Sequence, residues 1–225
     1  MYMSERISLE ELYRQSITFP GPTMHLRALR TALDVVEEEL AHACDQATVR
    51  LHARHKRDEE FLHPHDRELD LYELEVTITQ VFPRVFRGGF LLTLWSVFET
   101  VAKRMAVYAC QTRGLPPVEP LFRKKNKDGF LQLLKHIYRE RLEIDAFPDA
   151  DEYGQLDQLR HIRNALIHHN GNIAELRGVL KGLTLADYAK LGLSVYENFH
   201  EKFFVPEAEF LVRNFSLVES YLLCP

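Results

Sequence analysis

Apolar residues recur three and four positions apart through most of the chain. Leu26, Leu29, Leu33, Val36 and Leu40 form one such series, with Glu37, Glu38 and Glu39 left toward water. This pattern predicts a long helix from about Thr23 to about Arg57. Thr23 is the expected N-cap, directly after the breaker Phe19-Pro20-Gly21-Pro22. The end of this helix, Arg50 to Arg57, is rich in Arg, His and Lys. Cations suit a helix C-terminus, and that reading is preferred over a binding patch. Phe61 to Asp66, with Pro64, reads as a linker. Helix resumes near Glu68 and meets Pro83, which should kink it or start a new helix there. Arg84 to Thr112 is the strongest helical segment. Its apolar residues Phe90, Leu91, Leu94, Phe98, Val101, Met105 and Val107 spread broadly enough for a central position, and Gly88-Gly89 would let another helix approach closely. Arg113-Gly114-Leu115-Pro116-Pro117 stops it.

Beyond that stop, Asp128 is placed to cap a helix carrying Phe130, Leu131, Leu134, Ile137 and Leu142. Phe147-Pro148-Asp149 opens the next helix, which ends at Asn170-Gly171, where glycine is the expected terminator. Gly192 to Val205 then alternates as a short hairpin would, through Leu193, Val195, Phe199, Phe203 and Val205. Pro206 is expected to start the last helix, through Phe210, Val212, Phe215, Leu217 and Leu222. The fold class is therefore mostly α, with one short hairpin before the last helix. Internal repeats and low-complexity segments are not evident.

Composition narrows the function classes. The chain has 225 residues, 46% hydrophobic and 27% charged, which fits one large domain or a domain with an extension. Its formal net charge of -5 disfavours a dedicated duplex-DNA binder, which would usually be basic. Nucleic-acid contact would have to come from local patches. Arg123, Lys124, Lys125 and Lys127 form one such run. It suits the mouth of a channel for RNA phosphates and equally suits a solvated loop. The cysteines Cys44, Cys110 and Cys224 are far apart and form no CxxC pair, so neither a disulfide framework nor a cysteine zinc site is indicated. Cys44 and Cys110 sit in helical patterns, as small core residues do. The N-terminus lacks a continuous apolar stretch of the signal-peptide kind. The most apolar segment, Phe90 to Cys110, carries Glu99, Lys103 and Arg104 and reads as a buried helix rather than a membrane span. A cytoplasmic location, with no membrane partner, is expected. His63 and His65 flank Pro64, but a lone HxH in a loop is a weak metal signal.

One polar stripe points to chemistry. On a wheel of about 100° per residue, Leu159, Ile162 and Leu166 share one side of the helix from Asp151 to Gly171. Asp157, His161, Asn164 and His168 share the other, as two i, i+4 pairs. Arg163 lies at the edge of that stripe. An ordinary solvent face mixes Glu and Lys. These side chains instead hydrogen-bond, titrate near neutrality or clamp an anion. A purely structural polar network is the competing reading of the stripe.

The string Arg163-Asn164-Ala165-Leu166-Ile167-His168 resembles the R-x4-H motif, with a polar residue after the arginine, of the HEPN superfamily. The flanking Leu159-Arg160-His161-Ile162 and Asn170-Gly171 look like prokaryotic members, as does Trp95-Ser96-Val97-Phe98-Glu99 in the preceding long helix. The resemblance covers about Arg84 to Cys224. It implies a HEPN-like helical domain over 83–225; it does not explain residues 1–82, which are read as an N-terminal helical extension packed on that domain for dimerisation or partner binding. HEPN domains are helical bundles, often homodimers, and many are metal-independent ribonucleases, among them toxins and abortive-infection proteins.

The resemblance implies an endoribonuclease that uses no metal or other cofactor. The ribose 2′-hydroxyl would attack the adjacent phosphate and leave a 2′,3′-cyclic phosphate. His168 is the expected proton-transfer group, Arg163 the cation on the phosphate oxygens, and Asn164 the group that orients His168 or the phosphate. His161, His169 and Glu99 are auxiliary candidates, Glu99 as an acceptor for Arg163. Arg160 joins Arg123, Lys124, Lys125 and Lys127 as expected RNA contacts. A homodimer would bring two motifs into one cleft, and an antitoxin or other regulatory protein is a further expected partner. The chain departs from some toxin members in having Asn170 where they carry a modifiable tyrosine, so silencing by that modification is not implied. The alternative reading is a non-catalytic HEPN-like module that binds a nucleotide, RNA or protein. A metalloenzyme is the poorest option, since HExxH is absent.

Overall fold

The computed structural model describes residues 22–123, 129–143, 150–176, 180–198 and 201–223. The expected breaker before Pro22, the Asp128 cap, the Phe147-Pro148-Asp149 helix start, Phe199 and Cys224 lie outside the described residues, as do Lys124, Lys125 and Lys127.

The fold is mostly α, with one small antiparallel sheet before the last helix. In chain order the helices are α1 (Pro22–Arg57), α2 (Pro64–Val76), α3 (Phe82–Thr112), α4 (Glu119–Arg123), α5 (Gly129–His136), α6 (Ala150–His169), α7 (Leu185–Lys190) and α8 (Ala208–Leu223). Strands β1 (Leu193–Asn198) and β2 (Glu201–Pro206) pair between α7 and α8 with Val195 opposite Phe204 and Tyr196 opposite Phe203.

Several boundaries differ from expectation for identifiable reasons. Thr23 lies within α1, which already includes Pro22, so it does not cap that helix. Pro64 is the first residue of α2 rather than part of a linker. Proline suits that position because its missing N–H would be unpaired there anyway. His63 caps this helix, its Nδ1 accepting the His65 N–H at 3.2 Å. The His-Pro-His string is thus a helix start. Pro83 lies in the first turn of α3, which begins at Phe82. A π-helical turn over Thr77–Val81 widens the backbone just before it, and helix runs on. An i→i+5 turn relieves proline's clash and its missing donor. Pro206 ends β2, and α8 begins at Ala208. Short elements without a counterpart in the sequence pattern include α4, a 3₁₀ turn at Ile173–Glu175 and α7, which is capped by reciprocal bonds between Thr184 and Asp187.

The continuous run Pro64–Thr112 is long and apolar enough to cross a membrane by length and composition, with a window of mean hydropathy 1.2 that is 44% buried. A buried core helix of a soluble protein passes the same test.

The chain divides into two compact units. The first comprises the described residues of Met1–Leu29, Thr93–Arg160 and Asn214–Pro225. Its core is aromatic. Phe98 is fully buried and meets Trp95, Phe130 and Tyr221 with ring centroids 5.2, 6.1 and 5.3 Å away. Edge-on contacts of this kind add to the apolar burial of each ring. Cys110 is buried in this unit. The second unit comprises Arg30–Leu92 and His161–Arg213. Leu33, Leu40, Phe90, Leu91, Ile162, Ala165, Leu193, Phe204 and Phe210 form its core. Cys44 is only half-buried there. Residues 30–82 of the expected extension belong to this second unit.

The basic end of α1 has a structural partner. Arg54 and His55 both contact Asp70 on α2, the latter at 2.8 Å. Beyond Leu40, no residue of α1 is buried, and none of α2 is.

Candidate functional site

The helix α6 carries the motif, and its burial follows its sequence. Leu156, Leu159, Ile162 and Ala165 are buried along one line, while Leu166 is half-buried beside it. Leu166 packs toward Gly88, whose added β-carbon would lie 3.9 Å from it, an ordinary contact. Gly89 faces open space. Only the first glycine of the pair therefore faces a helix neighbour.

On the polar side, Asp157, His161 and Asn164 are half-buried and His168 is exposed. Arg163 is half-buried. Its Nη1 donates to the Asn164 Oδ1 at 2.8 Å, and its Nε is buried without a partner. Among the described residues no carboxylate meets this guanidinium. A cation held this way retains its charge for an incoming anion. The neighbouring Asn164 is thus an acceptor for Arg163. His168 lies in the last turn of α6, its ring 6.3 Å from that of His169. His169 in turn has Glu175 at 3.9 Å from its Nδ1.

The other expected site residues are placed differently. Arg160 turns back on its own helix, with both Nε and Nη2 on the Asp157 carboxylate at 2.9 and 2.7 Å. Its charge is therefore largely matched by Asp157 on the same helix. Glu99 is half-buried on α3 and has no hydrogen bond or ion pair among the described residues. Arg123 ends α4.

The turn after the motif is tightly built. Asn170 and Gly171 both adopt positive φ, at 52° and 77°. The Gly171 N–H donates to Ala165 O at 3.0 Å, and Gly171 O accepts the Phe204 N–H at 3.0 Å. Asn172 bridges to Phe203. The end of α6 is thereby fixed to β2 through backbone bonds.

Sequence reasoning passed over Arg84. It stands beside this turn, with its guanidinium 5.3 Å from the Phe203 ring centroid and Nη1 3.5 Å from Asn170 O. Its Nε is also buried without a partner, and desolvation lowers its pKa from the ordinary arginine value. No spacing in the sequence links residue 84 to residue 170, so nothing short of the tertiary contact could have found it. Arg87, one turn on, was passed over for the same reason. It pairs with Glu37 through two bonds of 2.8 Å and with Pro206 O at 3.0 Å.

A separate open pocket of about 370 Å³ lies between α7 and β1, lined by Leu185, Ala189, Leu193, Ser194, Val195 and Glu207. None of the motif residues lines it. Among the described residues no group of three His, Cys, Asp or Glu side chains is gathered as a metal site. No protein-family model, curated protein or solved structure matches the chain.

Proposed function

We propose that this chain is a HEPN-like endoribonuclease that cleaves RNA without a metal, acting as a homodimer in the cytoplasm as a toxin or antiviral effector under control of a regulatory protein. The observation that carries this reading is the Arg163 guanidinium. It is oriented by Asn164, lacks a carboxylate partner among the described residues, and shares a helix with an exposed histidine five residues on. Structural arginines are normally neutralised, as Arg87 is by Glu37.

The reaction follows from those groups. The 2′-oxygen attacks phosphorus, the P–O2′ bond forms and the P–O5′ bond breaks. His168 takes the 2′-hydroxyl proton as general base. Arg163 holds the non-bridging oxygens as charge builds on them. The departing O5′ needs a proton from a second acid, which His168 of a second copy would supply. That requirement is the reason for a homodimer. The product ends are a 2′,3′-cyclic phosphate and a 5′-hydroxyl.

A second reading is a non-catalytic module that binds RNA, a nucleotide or a protein through the same face. The net charge of -5 favours it mildly, since a general RNA-processing surface is usually basic. Incubation of the purified protein with labelled single-stranded RNA and with tRNA in EDTA separates the two. Cleavage by the wild type and not by His168→Ala, leaving cyclic-phosphate ends, supports the ribonuclease. Saturable binding without product would replace it with the binding module.

A further inference from the structure

Two arginines one turn apart on α3 are treated differently by the fold. Arg87 is matched to Glu37 and to a carbonyl. Arg84 has an aromatic ring beneath it, a long contact to Asn170 O, a buried Nε with no partner and no carboxylate among the described residues. Removing a cation from water without a counter-ion is unfavourable. The fold nonetheless holds Arg84 firmly: Phe203 is fixed by its bridge to Asn172, and the Gly171 turn packs close to the arginine's side chain. A pre-positioned, unneutralised guanidinium is the arrangement that recognises phosphate through forked hydrogen bonds.

Its location decides which phosphate. The carbonyl that Arg84 reaches belongs to Asn170, two residues beyond His168. Successive α-carbons are about 3.8 Å apart, so that turn begins within roughly 7–8 Å of the histidine's backbone. We propose that Arg84 is a second phosphate-binding residue, holding the RNA phosphate next to the one under Arg163, with Phe203 as the residue that positions its guanidinium. This rests on the ribonuclease reading and adds to it a backbone contact outside the motif.

The test is a salt titration of single-stranded RNA binding in EDTA, read by fluorescence anisotropy, with cleavage rates measured alongside. Each phosphate contact to a single strand contributes about 0.7 to the slope of log affinity against log salt. Arg84→Gln should lower affinity about tenfold, as loss of a charged hydrogen bond does, and flatten the slope by about 0.7. Its cleavage should show a raised KM with kcat largely kept. Arg84→Lys should retain the slope, and Phe203→Leu should fall between. In the wild type, RNA should protect Arg84 from phenylglyoxal, a readout that does not depend on any variant folding. Unchanged slope and affinity in Arg84→Gln, or an Arg84 equally reactive with and without RNA, would overturn the inference while leaving the nuclease intact. A wild type that neither binds nor cleaves RNA removes the ribonuclease reading and this contact with it.

Discussion

Gly171 sits against the backbone of Phe204. A β-carbon at residue 171 would stand 2.9 Å from the Phe204 carbonyl oxygen, and the residue's φ is +77°. Both features exclude a side chain, and they lie where α6 meets β2. Gly171→Ala should therefore destabilise the protein by about 1–3 kcal/mol, through backbone strain and displacement of the strand. Urea unfolding of the two proteins measures it, and an unchanged midpoint would mean that the turn and strand are free to separate.

His168 is exposed and has no hydrogen-bond partner among the described residues. His168→Ala should abolish RNA cleavage yet shift stability by no more than about 0.5 kcal/mol, as surface substitutions do. A paired thermal melt and cleavage assay separates this from a structural polar network, which would lose stability on the order of 1–3 kcal/mol.

Asn164 holds the Nη1 of Arg163. Its removal should weaken the orientation of that cation without removing the charge. Asn164→Ala should reduce cleavage about tenfold, the equivalent of one charge-assisted hydrogen bond, mainly in kcat. Arg163→Ala should remove cleavage outright, and Arg163→Lys should not restore it, because an ammonium cannot reproduce the planar fork. Steady-state kinetics on a defined oligonucleotide give the split between kcat and KM.

The Arg87–Glu37 pair joins α1 to α3, and Arg87 also reaches the end of β2. Its arginine side chain is 14% exposed and its glutamate 37%. Arg87→Met should cost about 2 kcal/mol, in the range for hydrogen bonds to charged groups. Glu37→Gln should cost less, since an amide oxygen still accepts. Equal losses in denaturant unfolding would point to charge rather than hydrogen bonding as the main contribution.

Asp70 is held below its ordinary carboxylate pKa, first by the hydrogen bond from Arg54 and then by His55. A depressed folded-state pKa means stability that is present above the unfolded value of 3.8 and lost as pH falls through the folded value. Asp70→Asn should therefore be less stable than the wild type at neutral pH. The difference should shrink below about pH 4 and vanish at the acid end. Urea midpoints measured across that range check the sign, and a gap that widens on acidification would contradict it.

The polar and apolar spacing was enough to specify the long helices. Leu29, Leu33 and Leu40 in α1, Phe90, Leu91, Leu94 and Phe98 in α3 and Leu159 and Ile162 in α6 are buried as their periodicity requires, because one helical face must leave water wherever it lies. The hairpin was legible for the same reason. Helix boundaries at Pro64, Pro83 and Pro206 were less so: a proline is compatible with a helix start, a widened turn or a strand end, and the neighbouring packing selects among them. The short α7 could have been found from its Thr184-x-x-Asp187 cap.

The candidate site divides along the same line. Arg163, Asn164 and His168 share one helix, so their spacing alone placed them, and local chemistry linked the first two. The pairing of Arg160 with Asp157, three residues apart on the same helix, depended on which rotamer the surroundings allow. Arg84, Phe203 and Asn170 are brought together only by the folded chain. Sequence periodicity carries information over one or two helical turns. Which arginine receives a carboxylate and which is left open is decided by residues far away along the chain, and so by tertiary structure alone.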